Sequence, residues 1–113
     1  NITTDFSEAL IEIVTDPNDD IDGALEQLKI LQAFVIQNLE NEEYFLHNSM
    51  PCVIRGETNI PIANYGKSNR GMMKTVYRRG LAERYGAIMQ TIAGIHFNYS
   101  FSQNFWSGPY QPS

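Results

Sequence analysis

Polar side chains with hydrogen-bonding chemistry share one face of a predicted strand near the end of the sequence. Residues 89–101 read MQTIAGIHFNYSF, with mostly apolar residues at every second position. Because successive side chains of a strand point to opposite faces, this alternation predicts a strand. The second face carries the remaining six residues: Gln90, Ile92, Gly94, His96, Asn98 and Ser100. Amides and an imidazole beside a glycine are typical of the floor of a small-molecule site, although a solvent-facing polar ladder has the same pattern.

Two carboxylates near the start of the sequence are candidate metal ligands. Glu12 interrupts the apolar run ALIEIVT of residues 9–15, and Asp5 precedes that run. A charged side chain in an apolar strand must be exposed, paired or bound to a cation. Carboxylate oxygens are preferred ligands of Mg²⁺ in sites that use ATP. A half-exposed strand with a solvated glutamate explains the same pattern, and from the pattern alone it is the simpler interpretation.

His96 and Tyr77 carry further chemistry that the pattern leaves open. His96 is a candidate metal ligand or acid–base group, and a hydrogen-bonded structural histidine fits the same position. Tyr77 lies in the basic run KTVYRRG, residues 74–80, which suits an anionic ligand or an ordinary solvated helix face. The sequence contains no HExxH zinc motif and no GxxxxGK[ST] phosphate loop.

The elements that position these residues alternate between strand and helix. Residues 9–15 predict a strand, and a helix follows from a cap at Asp19 or Asp20 to about Asn41, with leucines at helical spacing. A long loop broken by prolines and glycines leads to a second predicted helix at residues 69–84, and the strand at 89–101 comes last. This order predicts an α+β fold, with both strands in one sheet and the helices on its apolar face.

Composition and charge exclude several classes of function. The chain has 113 residues, 42% of them hydrophobic, and a net charge of −5, which argues against nucleic acid as the main partner. No apolar run is long enough to predict a membrane span. A single cysteine, Cys52, favours a reducing compartment. The sequence begins and ends in mid-pattern, so we expect a fragment of a larger protein.

Several segments occur together in a specific order. They are ITTDFSEALIEIVT, SMPC, YGKSNRGMMKTVYRRGLAERYGAIMQTIAGIHFNYSF and the later FW. Together they resemble the proteobacterial type of glutamate–cysteine ligase over nearly the whole chain, least in the acidic helix and at residues 55–64. The resemblance implies that residues 1–113 are a fragment of the catalytic domain. It also implies an antiparallel catalytic sheet like that of glutamine synthetase, with helices packed on one face.

The resemblance also implies an activity and its cofactors. The family joins the γ-carboxylate of glutamate to the amine of cysteine through a γ-glutamyl phosphate, with ATP as co-substrate, in the first step of glutathione synthesis. By this resemblance Asp5, Glu12 and His96 hold Mg²⁺ or Mn²⁺. The parent enzyme is expected to be cytoplasmic and monomeric, with glutamate, cysteine and ATP as its partners and neither nucleic acid nor membrane.

Substrate contacts follow from the same resemblance. Tyr77 matches a position that lines the cysteine pocket, and Gln90, Ile92 and Asn98 match the floor of the glutamate site. Because the family's other metal-binding glutamates fall outside this sequence, we expect the 113-residue chain alone to be inactive. Another glutamate–amine ligase on the same scaffold and a non-catalytic module that binds a small ligand are the alternative functions.

Overall fold

The computed structural model describes residues 1–108. Its elements, in chain order, are β1 (Ile2–Thr4), β2 (Ile11–Ile13), α1 (Ile21–Gln37), a 3-10 turn (Glu57–Asn59), α2 (Asn69–Tyr85), a second 3-10 turn (Ile88–Thr91) and α3 (Gln103–Trp106). Since β1 and β2 form an antiparallel sheet beside helices, the fold is α+β, as the sequence predicts.

The sheet is a short hairpin whose first strand was not predicted. In the register Thr3 lies opposite Glu12, and the backbone N–H of Asp5 extends the pairing by donating to the carbonyl of Leu10 at 2.9 Å. The predicted strand at 9–15 is assigned as β2 at Ile11–Ile13, with backbone bonds that continue to Leu10 and Val14, and its partner is the β1 segment rather than residues 89–101. The pairing is local, because a short turn at residues 6–10 brings neighbouring segments together.

Helix α1 begins where the sequence predicts and ends earlier. The Asp20 carboxylate accepts the backbone N–H of Gly23 at 2.9 Å, which caps the helix N-terminus. The predicted end near Asn41 is wrong, because Asn38 leaves the helical conformation and its side chain donates to the carbonyl of Phe34 at 2.8 Å. This bond satisfies a carbonyl of the last turn, so the helix closes at Gln37.

Helix α2 matches its prediction to within one residue. Its cap is Ser68, whose hydroxyl accepts the backbone N–H of Gly71 at 3.1 Å. The helix ends at Gly86, whose φ of 83° lies in the left-handed region that glycine tolerates. The last turns of α2 place Leu81 and Ala82 against the main apolar cluster.

The predicted strand at residues 89–101 is wrong. Its first residues form the 3-10 turn Ile88–Thr91, and residues 92–102, which we call the extended segment, pair with no strand among residues 1–108. Alternating side chains stabilise a strand only where a neighbouring strand accepts its backbone hydrogen bonds. Here one backbone bond holds the segment, from the N–H of Ala93 to the carbonyl of Ser49 at 2.8 Å.

One small core joins the hairpin to α2. Phe6, Ile60 and Ala87 are buried together, and Leu81 and Ala82 of α2 pack against them. The turn after β1 is pinned to residues 60–63 by backbone bonds, including one from the N–H of Ala63 to the carbonyl of Phe6 at 2.9 Å. We call β1, β2, residues 60–66 and α2 the hairpin unit.

Much apolar surface stays exposed outside this core. The accessible area is 9841 Å², against about 6,300 Å² for a compact protein of this mass. The radius of gyration is 18.1 Å, against about 13 Å for a compact domain of this length. The exposed apolar side chains therefore provide a large surface against which further protein could pack. Within residues 1–108 no helix has the length and apolar character that a membrane crossing requires.

Candidate functional site

Asp5 and Glu12 lie on one edge of the hairpin unit with both carboxylates exposed. Glu12 is the central residue of β2 and pairs with Thr3. Since alternate residues of a strand share a face, Asp5 falls on the same face as Thr3 and therefore as Glu12. The two carboxylates are thus diagonal neighbours on a two-stranded ribbon. The sequence anticipated a carboxylate in the middle of an apolar strand, and the structure places Glu12 there.

The backbone at Asp5 is tied to helix α2. Its carbonyl oxygen accepts a hydrogen bond from the Nε of Arg78 at 2.7 Å, and the hydroxyl of Tyr65 lies 2.8 Å from the same oxygen. The Tyr65 hydroxyl also lies within hydrogen-bond distance of the carbonyl of Thr4. Tyr65 and Arg78 are both distant from Asp5 in sequence, so these hydrogen bonds hold the hairpin against helix α2.

The ring of Tyr65 is held in place by two cations of α2. The Nζ of Lys74 and the Cζ of Arg78 each lie 4.6 Å from the ring centroid. Cations at this distance are attracted by the negative face of the ring. Lys74 and Arg78 are one helical turn apart, and the Nη1 of Arg78 also donates to the carbonyl of Lys74 at 3.2 Å. We call Tyr65, Lys74 and Arg78 the clamp.

Tyr77 is the predicted substrate residue that α2 carries. It precedes Arg78 and its side chain is 64% exposed. Successive residues of a helix point about 100° apart, so Tyr77 projects about 100° from Arg78 and about 60° from Lys74, on the side of the helix next to the clamp. The structure therefore presents its ring on an open surface.

The other predicted residues lie at or after the second 3-10 turn. Gln90 is half-buried within the turn, where the neighbouring Thr91 is buried and donates its hydroxyl to the carbonyl of Ile88 at 2.6 Å. Ile92, His96 and Asn98 are exposed in the extended segment. Because residues 92–102 make no strand, these side chains do not share the flat face that the sequence predicted.

The predicted ligands are brought together only in part. Among residues 1–108 no three His, Cys, Asp or Glu side chains lie close enough to hold a metal ion. Asp5 and Glu12 share the hairpin face, and His96 stands apart from them in the extended segment. Mg²⁺ is commonly held by one or two carboxylates, with water and phosphate oxygens as its other ligands. The hairpin carboxylates fit that donor set.

Two grooves among residues 1–108 lie away from the predicted site residues. The larger has a volume of about 470 Å³ and is lined by Ile60, Ile62, Asn64, Gly66, Lys67, Met72, Thr75 and Arg79. The smaller, about 160 Å³, lies at the start of α2 and includes Tyr65 and Lys74. Neither groove includes Tyr77 or Gln90.

Sequence reasoning missed the clamp. The run KTVYRRG suits an anionic ligand or an ordinary solvated helix face, and Tyr65 lies in the predicted loop before α2. One signal was available, because Lys74 and Arg78 are spaced to share a helix face. Nothing in the sequence indicates that a tyrosine nine residues before Lys74 would lie under both cations, since that contact depends on how the loop enters α2.

Known protein families and their members match this chain over the same stretch that carries the sequence motifs. A family model described as glutamate-cysteine ligase matches residues 1–112. Among curated relatives, the glutamate–cysteine ligase of Shewanella oneidensis is 48% identical over 112 residues, which is 99% of this chain and 21% of that protein. The glutamate–cysteine ligase of Hahella chejuensis is 51% identical over 106 residues, which is 94% of this chain and 20% of that protein.

A solved structure has the same fold over nearly all of this chain. The crystal structure of glutamate–cysteine ligase from Francisella tularensis in complex with AMP superposes with a TM-score of 0.88 at 48% identity. The match covers 94% of this chain and 21% of that one. This chain therefore spans about a fifth of the length of the relatives that it matches.

Proposed function

This chain belongs to the glutamate–cysteine ligase family, and we propose that it forms part of the catalytic domain of an enzyme that makes γ-glutamylcysteine with ATP. The observation that carries the ATP requirement is the likeness to the Francisella enzyme, whose structure holds AMP. We assign residues 1–113 to a single fragment of that domain. The two alternative functions, ligation of glutamate to another amine and ligand binding without catalysis, are distinguished by the tests below.

The proposed reaction has two steps. An oxygen of the glutamate γ-carboxylate attacks the terminal phosphorus of ATP, and the bond to the bridging oxygen breaks, which releases ADP and leaves γ-glutamyl phosphate. The amine nitrogen of cysteine then attacks the acyl carbon, the bond from that carbon to the phosphate oxygen breaks, and the nitrogen loses a proton. Phosphate and γ-glutamylcysteine are the products.

Asp5 and Glu12 are the residues that we assign to Mg²⁺ or Mn²⁺ from the hairpin, with His96 as a further ligand. When bound, the metal ion neutralises charge on the phosphate oxygens that react. The hairpin supports this role because its two carboxylates are exposed on one face and unpaired by Lys or Arg among the ion pairs of residues 1–108. His96 reaches such a site only if the extended segment is docked beside the hairpin.

We assign substrate contacts to the same residues that the motifs indicate. Tyr77 would line the cysteine pocket from α2, and Gln90, Ile92 and Asn98 would contribute to the glutamate site. The amide groups of Gln90 and Asn98 can donate to a carboxylate and accept from an ammonium group, which is the chemistry that an amino-acid substrate needs. The single, exposed Cys52 fits a cytoplasmic enzyme, and we propose a monomeric parent.

The test is ADP release by the full-length enzyme with Mg·ATP and glutamate, with and without cysteine. We expect release to rise strongly with cysteine, and the isolated 113-residue chain to release none. Equal release with another amine would keep the scaffold and change the substrate. No release under any combination would favour a binding module and contradict the proposal.

Substitution of Glu12 tests the metal assignment within the same assay. Glu12→Gln removes a charged ligand and is expected to lower ADP release by at least about tenfold, since even outer partners of metal ligands cost 10–100-fold. Its exposed position predicts an unchanged melting temperature. The control is Glu26→Gln, because Glu26 is exposed on α1 and pairs only with Lys29 at 3.7 Å, a surface contact of little energetic value. Equal activity of the two variants would count against Glu12 as a ligand.

A further inference from the structure

The carbonyl oxygen of Asp5 has two donors from outside the hairpin. The Nε of Arg78 lies 2.7 Å away, and the hydroxyl of Tyr65 lies 2.8 Å away. The tyrosine carries one proton and is also within reach of the Thr4 carbonyl, so it donates to one of the two at a time. Arg78 is therefore the donor that serves Asp5 continuously.

Both donors are oriented by the clamp itself. The guanidinium of Arg78 stacks on the Tyr65 ring and donates from Nη1 to the Lys74 carbonyl, which leaves Nε directed at Asp5. Lys74 contacts the same ring at 4.6 Å. A planar guanidinium with several fixed donors keeps such an arrangement better than a flexible ammonium group does.

The clamp acts at the point where the hairpin pairing ends. Asp5 donates its N–H to Leu10, and the next residue, Phe6, leaves the ribbon and is 3% exposed in the core. The peptide group that follows Asp5 is thus fixed by Arg78 on its oxygen side and by the buried Phe6 beyond it. Fixing this peptide fixes the direction of the Asp5 side chain, because the Cα–Cβ bond follows the backbone.

We propose that Arg78 is a positioning residue that holds the Asp5 carboxylate in the direction needed to bind the metal ion, with Tyr65 as its support. The inference rests on the proposed function, in which Asp5 is a metal ligand. It also connects the metal ligand Asp5 with the proposed cysteine pocket, because Arg78 is next to Tyr77 on α2. Arg78 itself touches neither metal nor substrate and acts through the peptide group of Asp5.

The test measures Mn²⁺ binding to the full-length enzyme by the loss of the free Mn²⁺ signal in electron paramagnetic resonance. Arg78→Met keeps an unbranched side chain as far as the Nε position and removes the donor, and we expect Mn²⁺ to bind about tenfold more weakly. Arg78→Gln places an N–H donor at the same distance along the side chain without the charge. We expect it to recover most of the affinity, which a purely electrostatic role of Arg78 would not allow.

Two further variants show whether Arg78 acts through Asp5. Asp5→Asn should weaken binding, and the double variant Asp5→Asn with Arg78→Met should bind no more weakly than Asp5→Asn alone, because residues in one network are not additive. Arg84→Gln, exposed in the last turn of α2, is the control and should bind as the unmodified enzyme does. If Arg78→Met is poorly folded, Tyr65→Phe keeps the ring, removes the hydroxyl and should weaken binding in the same direction.

The outcomes separate this inference from the proposed function. If Asp5→Asn weakens Mn²⁺ binding and Arg78→Met does not change it, the positioning role of Arg78 is overturned and the metal site is kept. Fully additive effects, or no recovery in Arg78→Gln, would also overturn it. Unchanged binding in Asp5→Asn would remove Asp5 from the metal site, and the inference would fall with that assignment.

Discussion

Asp5 and His96 are both assigned to the metal site, but the backbones that carry them are held in opposite ways. The peptide groups on both sides of the Asp5 Cα are hydrogen-bonded, because its N–H donates to the carbonyl of Leu10 and its carbonyl accepts from Arg78. His96 lies between Ile95 and Phe97, which are 98% and 76% exposed. His96 is itself exposed, and the space beside Gly94 is open enough that an added Cβ would lie 3.9 Å from the Nε2 of His96.

The contrast shows which half of the site this chain organises by itself. The hairpin unit gains its geometry from its own core and clamp, so the backbone that carries the two carboxylates of the proposed metal site is fixed by contacts within this chain. The extended segment exposes large apolar side chains such as Ile95, which contact neighbours only if further protein covers them. The two halves therefore depend on different contacts.

Hydrogen exchange should separate the two regions by the largest factor. In the isolated 113-residue chain, amides at residues 94–100 have no partner among residues 1–108 and should exchange at unprotected rates. Amides in the interior of α2 should be slower, and in the full-length enzyme both regions should be slowed by at least about a thousandfold, given a stability of roughly 5 kcal/mol. Exchange measured peptide by peptide with mass spectrometry gives both values.

Two results would contradict this division. Protection of residues 94–100 in the isolated chain would mean that the segment is ordered by its own contacts. Loss of protection throughout α2 in the isolated chain would mean that the hairpin unit also needs the rest of the enzyme. The 3-10 turn Ile88–Thr91 provides an internal control, because it has its own hydrogen bonds.

Local chemistry made the two long helices, α1 and α2, predictable from the sequence, whereas the single turn α3 was not predicted. Asp20 at the head of an apolar helical pattern, and Gly86 after the last turn of α2, are signals that act within a few residues. The hairpin was half predicted, since Glu12 was placed in a strand but its partner β1 has only three residues. A strand this short has no alternation of its own to recognise.

The extended segment failed as a prediction for a physical reason. Alternation at residues 89–101 reports which side chains would share a face, and it cannot report which strand would pair with them. The positions Ile92, His96 and Asn98 came from this pattern and from the motif, and they stay predictions. The clamp was not predicted either, because the contact of Tyr65 with Lys74 and Arg78 depends on how the loop enters α2. The bonds from the clamp to Thr4 and Asp5 join residues sixty or more positions apart.

Adding a single methyl group at Gly71 should disturb the hairpin unit strongly. Gly71 is buried, and a Cβ there would clash with the carbonyl oxygen of Tyr65 and lie 2.9 Å from that of Gly66. These are backbone atoms that cannot rotate away, so Gly71→Ala should lower the free energy of unfolding by about 1–3 kcal/mol. It should also weaken Mn²⁺ binding, because Tyr65 would shift under Arg78.

Gly80→Ala is the matched control on the same helix. Nothing lies within 4 Å of the added Cβ at Gly80, so the variant should gain up to about 1 kcal/mol from helix propensity. Urea unfolding of the full-length enzyme, with each variant compared with the unmodified protein, gives the sign of the change in the free energy of unfolding for both variants. Equal effects at the two glycines would mean that α2 is not packed on the Tyr65–Gly66 backbone.

The smallest expected difference is between the caps of the two long helices. Ser68 accepts the half-buried N–H of Gly71, whereas Asp20 accepts the exposed N–H of Gly23. Loss of either cap costs about 1 kcal/mol, but the N–H of Gly71 has little access to water and the N–H of Gly23 is readily hydrated. Ser68→Ala should therefore destabilise more than Asp20→Ala in the same urea experiment.

Because α2 carries Arg78 and α1 carries no assigned site residue, Ser68→Ala should also weaken Mn²⁺ binding slightly and Asp20→Ala should leave it unchanged. A larger effect of Asp20→Ala on either measurement would mean that α1, and not α2, supports the carboxylates of the hairpin.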